Sequence, residues 1–386
     1  MIGSLMMEKG IRIMEQTPAT SKSGSCCGAS EAISPLAGFE KTGYAILPMV
    51  TDFIDTPVGD TPRLKSRLSV SDRFGTLRVR LNIGRDTYQI SPGLYALGRP
   101  TAESPVVVTA NYKLSVDHVR KALSGRDAFL LILDTRGVNV WCAAGKGSFG
   151  TDELIRRIWG SGLEKIVSHR KLILPQLGAS GVSGFQVKKE TRFDIIWGPV
   201  RAQDLGQFID AGMKADKEMR TLRFGLWDRI TLIPVELSRT LKPAFICACL
   251  LLLLSLIGSH EHSFKGIIEK GLFSLIPIVM GIFAGSVATP LFLPYLYGVA
   301  FSMKGAVAGL LIGTPFLILF RGGEGLMGLF ALTLITCALS SYLAMNFTGA
   351  TPFTSPSGVE REMRRAIPLQ FAAFLVGLTL WLMVGS

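Results

Sequence analysis

The chain is poor in the residues that build disulfides and metal sites. Among its 386 residues there are six cysteines and four histidines. The cysteines form no disulfide-like framework, which is typical of a reducing compartment. The sequence has no C-x-x-C pair and no H-E-x-x-H motif, so the common zinc sites are excluded. The adjacent Cys26 and Cys27 could bind a soft metal ion, or they are an incidental pair in a flexible tail.

The beginning of the sequence lacks an apolar stretch of signal-peptide length, because Met1–Gln16 mixes charged with isolated apolar residues. We therefore expect the polar part of the chain to be cytoplasmic. The formal net charge of the chain is +12, and residues 60–242 are rich in Lys and Arg. No nucleic-acid-binding motif accompanies these charges, so nucleic acid is not an expected partner. A basic surface beside a membrane favours contact with anionic lipid instead.

Long runs without charge follow beyond residue 240. Five apolar segments there approach or exceed the roughly 17–25 residues with which a helix crosses a bilayer. The third is over-long and carries Lys304, which we interpret as an interfacial lysine rather than part of a transport pathway. The positive-inside rule then places the loop with Arg361, Arg364 and Arg365 in the cytoplasm, beside a multi-pass inner membrane domain. The segments are about Leu241–Gly258, Gly271–Ala288, Phe292–Phe320, Met327–Phe347 and Ile367–Val384.

Between residues 77 and 211, strand patterns alternate with helix patterns. This alternation predicts an α/β, Rossmann-like domain with a largely parallel sheet, followed by an all-α membrane domain of about five helices. Pro92–Pro100 is punctuated like turns, and Ser115 is a candidate N-cap for a helix over Val116–Leu123. Further helices are predicted at Thr151–Ile158 and Ala202–Ala211. The predicted strands are Leu77–Leu81, Val106–Ala110, Phe129–Asp134, Lys165–Val167, Lys171–Leu174 and Phe193–Trp197.

Changes in composition divide the chain into four parts. Residues 1–60 are expected to form a flexible N-terminal lead, and residues 61–223 the α/β domain. Residues 224–242 are a basic, amphipathic connector whose tryptophan and basic side chains suit a membrane interface. Residues 243–386 are the predicted transmembrane domain.

One short stretch, Asn139–Gly150, contains the main candidate residues for a chemical function. Its Cys142 stands at the carboxyl end of a predicted buried strand, where open α/β sheets bind ligands. Cys142 could be a nucleophile, a metal ligand or a small buried residue. A nucleophile usually needs a histidine base, and only His118 and His169 are available in the α/β domain. A lone thiolate could instead ligate the metal of a cofactor, because the cofactor supplies the other ligands.

The same stretch resembles the end of a phosphate-binding loop at Gly145–Ser148. It lacks the first glycine of the motif and has Gly147 where Ser or Thr should follow Lys146, so it is a weak signal for a nucleotide. Small residues here could also let the backbone lie against a large planar ligand.

The stretch from Asn139 to Lys146 resembles the signature of the membrane corrinoid protein family of microbial mercury methylation (the HgcA family). The resemblance is strong over residues 90–211, and the membrane tail also fits. The α/β domain is similar, too, to the corrinoid-binding domain of the corrinoid iron–sulfur protein large subunit of the acetyl-CoA pathway. A four-cysteine iron–sulfur motif, which that protein has, is absent here, and a membrane domain follows. We therefore expect no iron–sulfur cluster in this chain.

The resemblance implies a cobalt corrinoid, a cobalamin-type cofactor, bound to residues 61–223. It makes Cys142 the catalytic residue and the metal ligand, as the lower axial ligand to cobalt on a cap helix. Asn139, Trp141 and Lys146 would build and hold that cap. The implied cofactor-binding residues are Thr109, Ser115, Asn139, Val140, Trp141, Cys142, Ala143, Ala144, Gly145, Lys146 and Ala202.

The resemblance also implies an activity and partners. The protein would be a membrane-anchored, corrinoid-dependent methyltransferase that passes a methyl group to Hg(II) and forms methylmercury. A ferredoxin-like protein with two [4Fe-4S] clusters would supply electrons, and a methyl-folate-dependent methyltransferase would supply the methyl group. The alternative is a membrane-held corrinoid methyl carrier of acetyl-CoA-type one-carbon metabolism. A transporter with a regulatory ligand-binding domain is a third interpretation.

Overall fold

The computed structural model describes residues 49–257, 271–319, 325–349, 351, 353 and 356–385. Cys26, Cys27 and most of the predicted N-terminal lead lie outside the described residues. The described residues form an α/β domain followed by long apolar helices. The strands are β1 Val50–Ile54, β2 Thr61–Leu64, β3 Gly93–Leu97, β4 Val106–Ala110, β5 Ala128–Leu133, β6 Lys171–Leu174 and β7 Asp194–Trp197.

Helices cover both faces of the sheet and lead from it to the apolar region. Two short 3₁₀ helices, Gln176–Gly178 and Ala202–Asp204, follow β6 and β7. The helices are α1 Val70–Arg80, α2 Lys113–Ala122, α3 Val140–Gly145, α4 Thr151–Gly160, α5 Leu163–Ile166, α6 Gly184–Thr191, α7 Leu205–Asp210, α8 Leu226–Ile230 and α9 Ile233–Ile257.

The strands form one mixed sheet in the order β1-β2-β3-β5-β4-β6-β7. Strands β5, β4, β6 and β7 are parallel to one another, whereas β3 runs antiparallel to β5 and β1 antiparallel to β2. Every residue of β4 and β5 is buried, as expected for central strands with helices on both faces. The predicted α/β class is confirmed in this coarser form, as a mixed sheet with a parallel half.

The order of the parallel strands creates a switch point between β4 and β6. From β4 the chain moves to β5 on one side, and then returns to β6 on the other side. At such a point the connections leave the carboxyl edge in opposite directions and open a crevice, which is where ligands of α/β sheets bind. The fold therefore directs attention to the loops that follow β4, β5, β6 and β7.

Two predicted strands are helices in the structure. Leu77–Leu81 lies at the end of α1, whose start is fixed by a capping box between Ser69 and Asp72. Its alternating apolar and charged residues suit a strand, but the apolar positions also recur at helical spacing. Lys165–Val167 lies mainly in α5, one turn that follows Gly162 in the left-handed region (φ 58°). The strand prediction is wrong at both places.

Two other predictions are also corrected. Pro92–Pro100, predicted as turns, contains β3, because its glycines and prolines bracket a five-residue strand that is buried throughout. Strand β1 lies inside the predicted flexible lead of residues 1–60 and pairs with β2, so ordered structure begins earlier than the composition indicates.

Four helices of the described region are long and apolar enough to span a membrane. They coincide with the second to fifth predicted segments. The first predicted segment lies on α9, whose first turns carry Glu236, Arg239 and Lys242. The third predicted segment is too long at its N-terminal end, because the helix that it contains starts only at Phe301. The four helices are α10 Gly271–Phe292, α11 Phe301–Leu319, α12 Leu326–Thr348 and α13 Ser357–Val384.

Small residues allow these helices to pack closely, as small residues do in membrane helix bundles. A Cβ atom at Gly305 of α11 would lie 2.5 Å from the Ser340 carbonyl oxygen of α12. A Cβ atom at Gly285 of α10 would lie 2.6 Å from the same oxygen. Both glycines are therefore required by the contact with α12.

Arg229 of α8 and Lys304 of α11 bind carbonyls at and just beyond the end of α10. The guanidinium of Arg229, which is buried, donates hydrogen bonds to the carbonyls of Pro290 (2.9 Å) and Leu291 (2.8 Å). The ammonium of Lys304 donates to the carbonyl of Leu293 (2.8 Å) and to that of the residue three positions later (2.7 Å). Lys304 thus satisfies carbonyls that the helix end leaves without partners, which agrees with an interfacial position.

Candidate functional site

The carboxyl edge of the parallel strands gathers the residues that the sequence singles out. Thr109 is near the end of β4 and is buried, and Ser115 lies in α2 directly after that strand. Cys142 lies in α3, which follows β5, and Ala202 opens the 3₁₀ helix after β7. Helix α2 packs against that 3₁₀ helix, so Ser115 and Ala202 belong to neighbouring elements. The structure thus brings all four to one edge of the sheet.

Helix α3 is a short cap of six residues over this edge. Asn139 is its N-cap, and its side-chain oxygen accepts a hydrogen bond from the Cys142 amide at 2.9 Å. Val140 and Trp141 are partly exposed, whereas Ala143 and Ala144 are buried on the inner side. The cap is therefore fixed at its start by a polar contact and along one side by apolar packing.

Glycines let a neighbouring loop approach the cap. A Cβ atom at Gly181 would lie 2.2 Å from the Phe149 carbonyl oxygen and 3.0 Å from Cα of Ala144. Gly147 ends the cap in the left-handed region (φ 80°) and donates to the Ala144 carbonyl at 3.2 Å. A Cβ atom at Gly145 would meet nothing within 4 Å, so open space adjoins the cap's last turn.

Cys142 is a partly exposed free thiol. Among the described residues, no hydrogen bond joins its side chain to a histidine. His169 lies at the opposite edge of the sheet, where its ring bonds to the Ser104 carbonyl (2.9 Å) and accepts from the Lys171 amide (3.2 Å). A cysteine–histidine nucleophile would need the two side chains within hydrogen-bond reach, so the geometry argues against it for His169.

The nucleotide interpretation also finds little support. In a phosphate loop the lysine opens the helix that follows the strand. Lys146 is instead the exposed C-cap of α3, and α4 begins five residues later at Thr151.

Ser115 does not have its predicted role as a cap. Helix α2 begins at Lys113 with Tyr112 at the N-cap, and Ser115 lies in the first turn, where its amide donates to the Tyr112 carbonyl at 2.9 Å. The predicted N-cap is wrong by three residues, although Ser115 remains at the edge of the sheet that carries the cap.

Asn111 positions the loop that leads to the cap, a role that the sequence did not reveal. It is completely buried at the end of β4. Its side-chain oxygen accepts from the Thr135 amide (3.1 Å), the Thr135 hydroxyl (2.9 Å) and the Gly137 amide (3.0 Å). The single proton of the Thr135 hydroxyl is shared between Asn111 and the Val138 carbonyl oxygen, which lies 2.6 Å from the hydroxyl. One buried side chain thus ties together the whole connection between β5 and α3.

A buried cluster of charges lies beside this edge. Lys113 contacts Asp72 of α1 (2.7 Å) and Asp117 (2.8 Å), and Arg120 contacts the same two carboxylates at 2.7 and 2.8 Å. Burial by itself would raise the pKa of Asp72, but hydrogen bonds from Lys113 and Arg120 lower that pKa well below its usual range. The cluster has two cations and two anions, so it is neutral and holds α1 against α2.

The connector to the apolar helices is attached at the same edge. Arg220 donates to the side-chain oxygen of Gln176 at 2.6 Å, in the 3₁₀ helix that packs against α3. Arg201, next to Ala202, bonds to Asp228 of α8 at 2.8 Å. The cap therefore lies on the side of the domain from which the chain leaves for the apolar helices.

Part of this chain is similar in sequence to subunits of CO dehydrogenase/acetyl-CoA synthase and acetyl-CoA decarbonylase/synthase complexes. A family model described as CO dehydrogenase/acetyl-CoA synthase delta subunit matches residues 75–209. The gamma subunit of the acetyl-CoA decarbonylase/synthase complex from Methanopyrus kandleri is 32% identical over 128 residues, which are 33% of this chain and 27% of that subunit. The corresponding subunit from Archaeoglobus fulgidus is 32% identical over 130 residues, 32% of this chain and 27% of the relative.

A third relative, from the genus Methanosarcina, is similar over a shorter stretch. The gamma 2 subunit from Methanosarcina thermophila is 34% identical over 99 residues, 25% of this chain and 21% of the relative. The chain thus spans about a quarter of the length of the curated relatives that it matches. The α/β domain is related to subunits of a complex named for acetyl-CoA synthesis and decarbonylation.

These matches overturn the assignment to the mercury-methylation family. The matched model and relatives are CO dehydrogenase, acetyl-CoA synthase and acetyl-CoA decarbonylase/synthase subunits, and the resemblance to the acetyl-CoA pathway is the one that they support. The expectations of Hg(II) as substrate and of a two-cluster ferredoxin-like partner depended on the mercury resemblance and lose that basis. The misleading signals were a short signature around Cys142 and an apolar tail, neither of which identifies a methyl acceptor.

Proposed function

We propose that this protein is a membrane-held corrinoid protein that carries a methyl group in acetyl-CoA-type one-carbon metabolism. The observation that carries the proposal is the match over residues 75–209, a stretch that runs from α1 to α7 and includes the entire carboxyl edge with its cap. The name of the relatives' complex supports the metabolic context. We assign residues 61–223, extended by β1, to the corrinoid-binding domain and residues 243–386 to the membrane domain.

The residues at the edge suit such a cofactor in two ways. First, open space adjoins Gly145 and Gly147, as a large planar ligand requires. Second, among the described residues no three His, Cys, Asp or Glu side chains cluster to hold a metal ion. The thiolate of Cys142 would therefore serve as a single ligand to a metal whose other ligands come from the cofactor ring.

A buried acceptor near the cap also fits. The side-chain oxygen of Gln89 has no hydrogen-bond partner among the described residues, although buried acceptors are normally paired. It lies close to Gly137, since a Cβ atom there would be 3.0 Å from it. This oxygen would accept a hydrogen bond from an amide N–H on the rim of a corrinoid.

The proposed mechanism assigns a task to each part of the cap. A bound corrinoid supplies a cobalt that can hold and release a methyl group. Cys142 would hold that cobalt through its thiolate, a ligand that donates electron density strongly. Asn139 holds the Cys142 amide and thereby the orientation of the thiol. Asn111 fixes the preceding loop, so the sulfur is presented without further reorganisation.

The remaining proposed contacts follow from their positions. Thr109, Ser115 and Ala202 would line the crevice beneath the cofactor, and Val140, Trp141, Ala143, Ala144 and Lys146 would form the cap around Cys142. We propose protein partners of three kinds: an iron–sulfur electron donor, a methyl-folate-dependent methyltransferase and an acetyl-CoA-forming enzyme. The domain would lie on the cytoplasmic side of the cell's inner membrane.

Reconstitution tests the cofactor and the ligand together. The full-length protein in detergent is reconstituted anaerobically with cobalamin, and its absorption spectrum is compared with that of Cys142→Ala. Cys249→Ala is the matched control, because Cys249 is also a partly exposed free thiol but lies on α9. We expect the cobalt bands to shift only in Cys142→Ala. Identical spectra for all three proteins would rule out Cys142 as the axial ligand.

A transfer assay tests the metabolic role. The reconstituted protein is methylated and mixed with acetyl-CoA synthase, CO and coenzyme A, and acetyl-CoA is quantified. We expect acetyl-CoA in proportion to the methylated protein, and slower formation with Cys142→Ala. A protein that binds the corrinoid but yields no acetyl-CoA would disprove the metabolic assignment and leave the cofactor assignment standing.

A further inference from the structure

Helix α1 has an apolar stripe that points away from the protein. Val70, Phe74, Leu77 and Leu81, the last at the C-cap, are spaced four, three and four residues apart, which puts them on one face of a helix. Their side chains are 83%, 61%, 54% and 41% exposed. A continuous exposed row of large apolar side chains is unusual on a soluble surface and marks an interaction site.

Arginines flank this stripe. At about 100° per residue, Arg73 and Arg80 lie on one side of the row and Arg78 on the other. Among the residues that the structure describes, none of the three is in a salt bridge. Basic side chains beside an apolar stripe are the pattern of a helix that lies in the headgroup region of an anionic membrane.

The opposite face of α1 is fixed to the domain by polar contacts. Asp72 and Val79 are the buried residues of the helix, and Asp72 bonds to both Lys113 and Arg120. In an ordinary surface helix the apolar face is buried and the polar face is exposed. In α1 the buried charge network sets the orientation, so the apolar stripe is left facing outward.

The position of α1 brings this stripe to the membrane boundary. The hydroxyl of Ser238 donates a hydrogen bond to the Leu81 carbonyl at 2.8 Å. Ser238 is in α9, just before the apolar part of that helix begins at about residue 241. Arg239, the next residue of α9, forms an ion pair with the buried Glu236 at 3.9 Å. The end of α1 therefore contacts the point at which the chain enters its apolar helices.

We propose that α1 lies in the headgroup region of the bilayer, with Phe74 and Leu77 inserted at the acyl boundary and its arginines on anionic phosphates. The occupant of the stripe is thus an anionic lipid surface. Two observations favour lipid over a second copy of the chain: the contact with α9 at the membrane boundary, and the unpaired basic charge on both sides of the stripe. The proposal rests on membrane attachment and is independent of the corrinoid assignment.

Quenching by brominated lipid tests the contact directly. The full-length Phe74→Trp variant is placed in nanodiscs of phosphatidylglycerol and phosphatidylcholine with brominated acyl chains, and its emission above that of the natural chain is measured. Lys189→Trp is the control, because Lys189 is exposed near the end of α6, where the chain approaches the amino edge of the sheet. We expect most of the added emission to be lost in Phe74→Trp and none in Lys189→Trp.

A second comparison tests how much the arginines contribute to the contact with anionic lipid. In Phe74→Trp, the added substitutions Arg73→Gln and Arg78→Gln should reduce quenching in anionic discs and leave it nearly unchanged in phosphatidylcholine discs. Hydrogen exchange of the natural chain provides a readout without substitution: the amides of Val70–Arg80 should exchange more slowly in anionic discs than in detergent. Unquenched Phe74→Trp emission would overturn the proposal, and so would protection in detergent that rises with protein concentration, which would indicate a second copy.

Discussion

Replacing Asn111 by Ala tests whether this one buried side chain holds the cap loop in place. The substitution removes three accepted hydrogen bonds, two from backbone amides and one from a hydroxyl. A buried donor left without a partner costs about 1–3 kcal/mol. Water that enters the space left by the amide would bond to some of these donors and restore part of the lost stability. We therefore expect the connection between β5 and α3 to lose about 2–4 kcal/mol of local stability.

Hydrogen exchange of the amides from Thr135 to Cys142 measures this loss. A loss of 2 kcal/mol corresponds to about 30-fold faster exchange, since about 1.4 kcal/mol is a factor of ten. Exchange in β7, on the other side of the sheet, should change little. If the cap also positions Cys142, the absorption spectrum of the reconstituted Asn111→Ala protein should move toward that of Cys142→Ala.

Two further variants separate the contribution of the Thr135 hydroxyl from that of the Asn111 side chain. Thr135→Val removes the hydroxyl but keeps both backbone amides bonded to Asn111, so we expect a smaller loss than in Asn111→Ala. Asn111→Asp keeps an acceptor but places a carboxylate beside Asp134, 3.4 Å from the present amide nitrogen. Like charges at that distance repel, and exchange should be faster than in the natural chain at pH 7. Unchanged exchange in Asn111→Ala would refute the positioning role.

Three other predictions concern the cap and α1. Asn139→Ala should destabilise α3 by about 1 kcal/mol through the lost N-cap, measured as faster exchange of the Cys142 amide. Gly181→Ala should cost about 1–3 kcal/mol in thermal unfolding, because its Cβ would meet the Phe149 carbonyl, whereas Gly145→Ala, in open space, should not destabilise. Because ion pairs lower the pKa of Asp72, its stabilisation is complete above pH 3.8 and is lost as the pH falls through the lowered pKa, and Asp72→Asn should abolish this acid dependence of α1 exchange.

Each of these predictions has an outcome that contradicts it. Exchange at the Cys142 amide that is equal in natural and Asn139→Ala proteins would show that the cap does not depend on its first residue. Equal melting of the Gly181→Ala and Gly145→Ala variants would show that the loop yields to the added methyl group. An acid-induced rise in α1 exchange that persists in Asp72→Asn would assign the effect to another group.

The sequence predicted the parts of the fold that depend on local pattern. Val106–Ala110 matches β4 exactly in its bounds, and Phe129–Asp134 matches β5 within one residue, because buried parallel strands are continuous apolar runs. Helix α1 was missed, although Ser69 and Asp72 have the spacing of a capping box. The apolar stripe of α1 faces outward, so the usual link between apolar period and core does not apply to it.

The sequence predicts a site residue only where that residue contacts others that are close to it in the chain. Cys142 and Asn139 are three residues apart, and their strand–loop–helix context is visible in the sequence. Asn111 acts on residues 24–26 positions away, and no local pattern connects them. Charge pairs such as Lys113 with Asp72, 41 positions apart, are invisible for the same reason. The prediction of the methyl acceptor is wrong for another reason, because residues that bind a cofactor do not identify the molecule that receives its methyl group.

The contact of Arg229 in α8 with the end of α10 has a mechanical consequence. A flexible tether would let the α/β domain tumble and meet soluble proteins from any direction. Two hydrogen bonds from Arg229 join α8 to the end of α10, and the bond between Arg201 and Asp228 joins α8 to the α/β domain, so the domain is linked to α10 by side-chain contacts as well as by the chain itself. We therefore expect the α/β domain to adopt a narrower range of orientations relative to α10 than a flexible tether would allow.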